Sequence, residues 1–87
     1  MHTEGVTVIR YFAAVKAAAA VGEDQVDASS LAEALAAVRG LHDVRFTEVL
    51  ARCSFLVDGD PVGSRDHGDV LVRPDSVVDC LPPFAGG

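Results

Sequence analysis

SSLAEALAAVRG, residues 29–40, carries the clearest pattern in the chain. Leu31, Ala34, Leu35 and Val38 recur at helical spacing and form one apolar stripe. Ser30 and Glu33 stand three apart, the spacing of a capping box. There the serine oxygen serves an orphan amide and the glutamate reaches back. Arg39 and Gly40 suit the opposite end, a cation near the helix C-terminus followed by a stop. The stretch predicts an amphipathic helix with one face to bury.

The segments around it supply the surface to bury it against. VTVIRYFA, residues 6–13, is β-branched and aromatic and reads as a strand, apolar on much of both faces and hence central in a sheet. AVKAAAAVG predicts one or two helical turns ending near Val21, with Gly22 as the stop. EDQVDA, with Val26 as its anchor, suits a brief second strand returning on the first. DVRFTEVLARC, residues 43–53, fits a second short helix or an irregular packed segment. Phe55, Leu56 and Val57 form a strand, Asp58-Gly59 a tight turn, and Pro61-Val62 the return at a sheet edge. A polar connection with an apolar cluster, Val70 to Val72, leads to a last strand, Val77 to Leu81, which the proline pair ends. One principal helix on a mixed sheet is an α+β layout. Residues 1–81 read as one globular domain and 82–87 as an extended tail.

Composition narrows the function. At 87 residues and 49% hydrophobic, the chain can build one modest, mainly aliphatic core. A net charge of −6 excludes a clustered basic surface for nucleic acid and favours partners with a basic docking face. No apolar run approaches a membrane span, and MHTEGV lacks the pattern of a signal peptide, so a cytoplasmic protein is expected. Cys53 and Cys80 lie far apart and His2, His42 and His67 are scattered, so no metal site is expected. There is no phosphate-binding glycine loop and no nucleophile elbow. RDHGD, around His67, reads as an ordinary turn. The chain does not read as an enzyme by itself.

The last eight residues, CLPPFAGG, raise a separate question. On one reading the prolines simply end a strand and the glycines are incidental. On the other, the tail is the working part. A free carboxylate at Gly87 is a poor electrophile and needs activation, commonly as an acyl-adenylate. With no ATP motif here, a partner must do that. Six residues span roughly 20 Å when extended. Pro82 and Pro83 bias them to extended geometry and lower the entropy lost on insertion. Gly86 and Gly87 lack Cβ atoms and can pass a narrow channel. Phe84 can anchor on an apolar patch, and Ala85 is the small residue between anchor and channel.

Taken together, VIRYFAAVKAAAAVG, SSLAEALAAV, LVDGDPV and CLPPFAGG resemble the small sulfur-carrier subunit of molybdopterin synthase, among the ubiquitin-like carriers of β-grasp fold. The resemblance covers nearly the whole chain. It implies that Gly87 is adenylated by a ubiquitin-activating-type partner using ATP, with no cofactor bound by this chain. Sulfur from a persulfide donor then makes a thiocarboxylate. The tail enters the large synthase subunit, in a heterotetramer of two carriers and two large subunits, and sulfur passes to the pterin precursor. Related carriers serve thiamin thiazole, cysteine and other metabolites. A protein modifier joined to lysine through Gly87, or a non-covalent binding module, are the other readings. A β-grasp sheet sets the first and third strands beside the last. That places Phe12 with Leu81 and Phe84 in an apolar docking patch and would bring Cys53 close to Cys80, against the simpler reading of two unlinked thiols.

Overall fold

The computed structural model describes residues 6–83. The stripe on the capped helix is buried as its spacing requires: Leu31, Ala34, Leu35 and Val38 are all at most 2% exposed. In chain order the elements are β1 (Thr7–Tyr11), α1 (Ala13–Ala19), β2 (Glu23–Val26), α2 (Leu31–Arg39), α3 (Val44–Leu50), β3 (Ser54–Val57), β4 (Asp60–Pro61), a 3-10 turn (His67–Asp69) and β5 (Val77–Leu81). The strands form one sheet in the order β2-β1-β5-β3-β4. β1 and β5 run parallel, and the remaining neighbours are antiparallel. This is the α+β, β-grasp arrangement, with the last strand at the centre of the sheet.

Ser30 caps α2 by accepting from the Glu33 amide at 3.1 Å. Glu33 reaches back to Ser29, accepting from its amide at 2.8 Å and its hydroxyl at 2.9 Å, one residue earlier than the capping-box spacing suggests. Residue 29 offers two donors where residue 30 would offer one. These bonds, the backbone one first, hold the Glu33 carboxyl below its ordinary range. The start of α2 is also clamped by the apolar cluster near residue 71. The Leu31 amide donates to the Val70 carbonyl at 2.8 Å, and Val70 and Val72 are buried while Leu71 points out. Replacing Ser30 by Ala is expected to cost about 1 kcal/mol and to lower the melting temperature by about 4–8 °C. An unchanged thermal melt would show that the clamp alone fixes the helix start.

Two expectations need correction. β1 is interior, flanked by β2 and β5, but only one of its faces is buried. Thr7, Ile9 and Tyr11 face the helices, while Val8, Arg10 and Phe12 lie on the other face. The helices cover one side of the sheet, so an interior strand here has a single apolar face. Thr7 is tolerated inside because its hydroxyl donates to the Arg73 carbonyl at 3.0 Å. The second correction is that α1 stops at Ala19, before Gly22. Ala20 takes the left-handed conformation, φ 63°, its amide returning to the Lys16 carbonyl. The chain must turn this early because Gly22 already belongs to the sheet, its carbonyl accepting from the Tyr11 amide at 2.9 Å. A left-handed alanine costs about 1–2 kcal/mol, which the new strand pairing offsets.

The other elements follow local rules. Asp43 caps α3 by accepting from the Phe46 amide at 3.0 Å, so the 43–53 segment resolves into a short helix, Val44–Leu50, followed by a turn. Asp58 and Gly59 both have positive φ, 52° and 86°, as an Asp-Gly hairpin turn demands. Asp58 also accepts from the Val77 amide at 2.8 Å, pinning the turn to the start of β5.

One polar cluster crosses the core. The Tyr11 hydroxyl donates to Asp24 at 2.7 Å, and His42 Nε2 lies 2.6 Å from the same carboxylate oxygen. Phe46 stacks edge-on to Tyr11, ring centroids 5.3 Å apart, and lies 4.4 Å from His42. Burial, then the Asp24 carboxylate, hold the Tyr11 phenol well above its ordinary range. The cluster ties β1, β2 and the α2–α3 connection together around Phe46.

Candidate functional site

Of the residues singled out in the tail, Phe84, Ala85, Gly86 and Gly87 lie outside the described residues. Leu81, Pro82, Pro83 and Phe12 lie within them and meet at one place. β5 ends at Leu81, which is paired with Ser54 of β3. On the other side Tyr11 is paired with Cys80, so the chain leaving β1 passes beside the chain leaving β5. Pro82 and Pro83 follow with no ladder to join. Phe12, Ala13, Ala14, Ser54, Leu81, Pro82 and Pro83 line a shallow, mainly apolar concavity of about 620 Å³.

Phe12 is held at its rim for local reasons. It is the extended residue before α1 (φ −128°, ψ 151°), and it is 39% exposed. Core packing is thus excluded as its main role. Ala13, next in line, has a positive φ of 51°, so the turn from strand to helix is backbone strain stored on the wall of the concavity. Residues 12–14 lack large side chains apart from Phe12, which keeps the concavity open.

Beyond Phe12 the open sheet face carries an ion pair that sequence reasoning did not isolate. Arg10 and Asp79 face each other across the parallel ladder and bond through two contacts, Nε to Oδ1 at 2.6 Å and Nη2 to Oδ2 at 3.1 Å. The Arg10 guanidinium also stands 5.7 Å from the centre of the Phe12 ring. Asp79, the charged residue of β5, is therefore the partner of an exposed arginine. The two-residue spacing of Arg10 and Phe12 was the available signal that they share a face.

Cys80, its neighbour, faces the core. Both cysteines are free, Cys80 buried and Cys53 half-buried. Burial pushes the Cys53 thiol up to about 11 and raises Cys80 further, so neither is a ready nucleophile. Among the described residues no group of three His, Cys, Asp or Glu is placed to hold a metal ion, and no helix is long and apolar enough to cross a membrane.

The sheet order and the three helices on one of its faces are those of the ubiquitin-like β-grasp fold. No family model and no curated protein matches the chain by sequence. Solved structures match it closely in shape. Small archaeal modifier protein 1 from Methanosarcina acetivorans superposes with a TM-score of 0.81 at 15% identity, over 99% of this chain and 100% of that one. A putative molybdopterin converting factor subunit 1 from Pyrococcus furiosus gives 0.74 at 19% identity, over 92% and 99%. A chain of the complex of subunits 1 and 2 of molybdopterin-converting factor from Helicobacter pylori gives 0.69 at 21% identity, over 94% and 99%. At these identities the likeness establishes the fold.

Proposed function

We propose that the chain is a cytoplasmic sulfur carrier acting in molybdopterin biosynthesis through its C-terminal Gly87. The observation that carries this reading is the meeting of Phe12, Leu81, Pro82 and Pro83 around one apolar concavity where the central strand releases the tail. A partner that grips this concavity holds the root of the tail at a fixed distance from its own active site. In this reading the chemistry belongs to the end of the tail and to the partners, and the concavity serves for docking.

The partners follow from that chemistry. A ubiquitin-activating-type enzyme joins the Gly87 carboxylate to AMP from ATP, releasing pyrophosphate. The terminal sulfur of a persulfide donor displaces AMP, and a thiol cleaves the resulting acyl disulfide to leave the thiocarboxylate. A large synthase subunit then accepts the tail, with Phe84 as its anchor on an apolar patch of that partner, Ala85 as the small residue that follows, and Gly86 and Gly87 giving clearance in the channel. The Helicobacter pylori structure, a complex of subunits 1 and 2, supports a large-subunit partner of this kind. The net charge of −6 suits basic surfaces on both partners.

The test of the docking site is Phe12→Asp. Phe12 is 39% exposed, so the substitution should leave the melting temperature unchanged. Affinity for the large subunit should fall by about 30-fold, the loss of one aromatic anchor at about 2 kcal/mol. Binding as tight as the parent's, read by calorimetry, would remove the concavity from the docking surface.

The modifier reading has its own support in the likeness to small archaeal modifier protein 1. It shares the activation step and differs in what attacks the activated carbonyl. Supplying ATP, activating enzyme and sulfide separates them: a carrier gains one sulfur for one oxygen, and a modifier yields conjugates of higher mass.

A further inference from the structure

Among the described strands Arg10 is the one lysine or arginine. The register sets an acid on each side of it, Glu23 of β2 and Asp79 of β5. The three make a charged row across the open face of the sheet, next to the apolar concavity. Asp79 takes both of the arginine's bonds, from Nε at 2.6 Å and from Nη2 at 3.1 Å. A lysine between two carboxylates is a point charge that can swing from one to the other. The planar fork of an arginine, closed on one carboxylate by two bonds, is fixed in orientation. The Arg10 side chain is half exposed above a largely covered Asp79.

The fixed guanidinium stands against Phe12. Its central carbon lies 5.7 Å from the ring centre, within the range of a cation–π contact. The aromatic rings of the core cannot brace Phe12. Tyr11, Phe46 and Phe55 are buried in the core on the helix side of the sheet. Phe12, by contrast, is exposed where β1 gives way to α1, with Arg10 two residues back on the same face. An exposed ring that samples several rotamers loses that freedom when a partner grips it. A ring already held loses less, and the difference appears as affinity.

We propose that Arg10 is a positioning residue for docking: locked to Asp79, it holds the Phe12 ring in the orientation that the partner grips. The inference rests on the reading of the concavity beside Phe12 as a docking site. It gives the ion pair a part in recognition, where an exposed pair adds little to stability. The selectivity is for arginine over lysine at position 10, because the fork and not the charge sets the plane against the ring.

Two measurements test it. The first uses the free, full-length chain. Three-bond couplings from the Phe12 α-proton to its β-protons, read by NMR, should report a single χ1 rotamer in the parent. They should average in Arg10→Lys, which keeps the charge and loses the fork, and in Asp79→Asn, which alters neither Arg10 nor Phe12. Averaged couplings in the parent, or a single rotamer retained in either variant, would overturn the proposal. The second measurement is affinity for the large subunit, by calorimetry. Each variant should bind about fivefold more weakly, the loss from freeing one side chain. Each should melt within about 4 °C of the parent. In a Phe12→Leu background the same changes should cost less than about twofold, because the ring they position is gone. A loss of equal size in that background would mean that Arg10 meets the partner directly, and would sink the positioning role. A parent chain that fails to bind the large subunit refutes the docking reading instead, and the couplings still decide whether Arg10 holds Phe12.

Discussion

A chain ending at Gly86 is expected to gain no sulfur when incubated with ATP, the activating enzyme and a persulfide donor, while melting at the parent's temperature. The reason is geometric. Removing one residue withdraws the carboxylate by about 3.5 Å. Reacting atoms must come within roughly 3–3.5 Å of each other, so a shortfall of that size removes the attack geometry. The globule cannot slide forward to compensate. Leu81 is locked to Ser54, and the residue before it, Cys80, is bonded into the ladders with Tyr11 and Phe55. The root of the tail is a fixed origin, and the tail length is measured from it. Intact mass spectrometry gives the result directly. Sulfur transfer retained by the truncated chain would sink the carrier mechanism.

The largest effect on stability is expected from Phe46→Ala. Phe46 is fully buried, and it touches both other rings of the polar cluster. Truncation removes its packing and leaves a cavity, a loss of about 3–5 kcal/mol. For a domain whose whole stability is about 5–15 kcal/mol, that is a large share. The consequences spread because the ring also fixes His42 and Tyr11, the two groups that satisfy the Asp24 carboxylate. With those side chains freed, a half-buried charge loses its partners. The melting temperature should fall by at least about 12 °C. A drop of less than about 4 °C would mean that α3 and its aromatic contacts are peripheral to the core.

Much of this architecture was legible where local rules act alone. The stripe on α2, the Asp58-Gly59 turn and the limits of β5 follow from spacing, turn chemistry and the proline pair. Neighbourhood of Phe12 and Leu81 followed from strand order once the β-grasp layout was expected, and the ladders place them together. Less was legible where the outcome depended on three dimensions. The parity of β1 is ambiguous because Val8 and Phe12 are as apolar as Ile9 and Tyr11, and only the single layer of helices decides between them. The end of α1 depended on where the next strand needed to begin, which no residue near Ala20 announces. Asp24 and His42 carry no local signal, being 13 and 18 residues from the partners they meet. Arg10 and Asp79 are charged residues in largely apolar strands, and their pairing depends on the parallel register.

The placement of β5 between a parallel and an antiparallel neighbour has a mechanical meaning. A pull on Pro82 acts along the strand axis, while the bonds that hold the strand run across it. Such a load shears both ladders at once and spreads over every rung, where an edge strand would peel away bond by bond. The globule therefore serves as a handle. On the carrier reading proposed above, a partner can draw the end of the chain into a tight channel without unravelling the body to which it is tied.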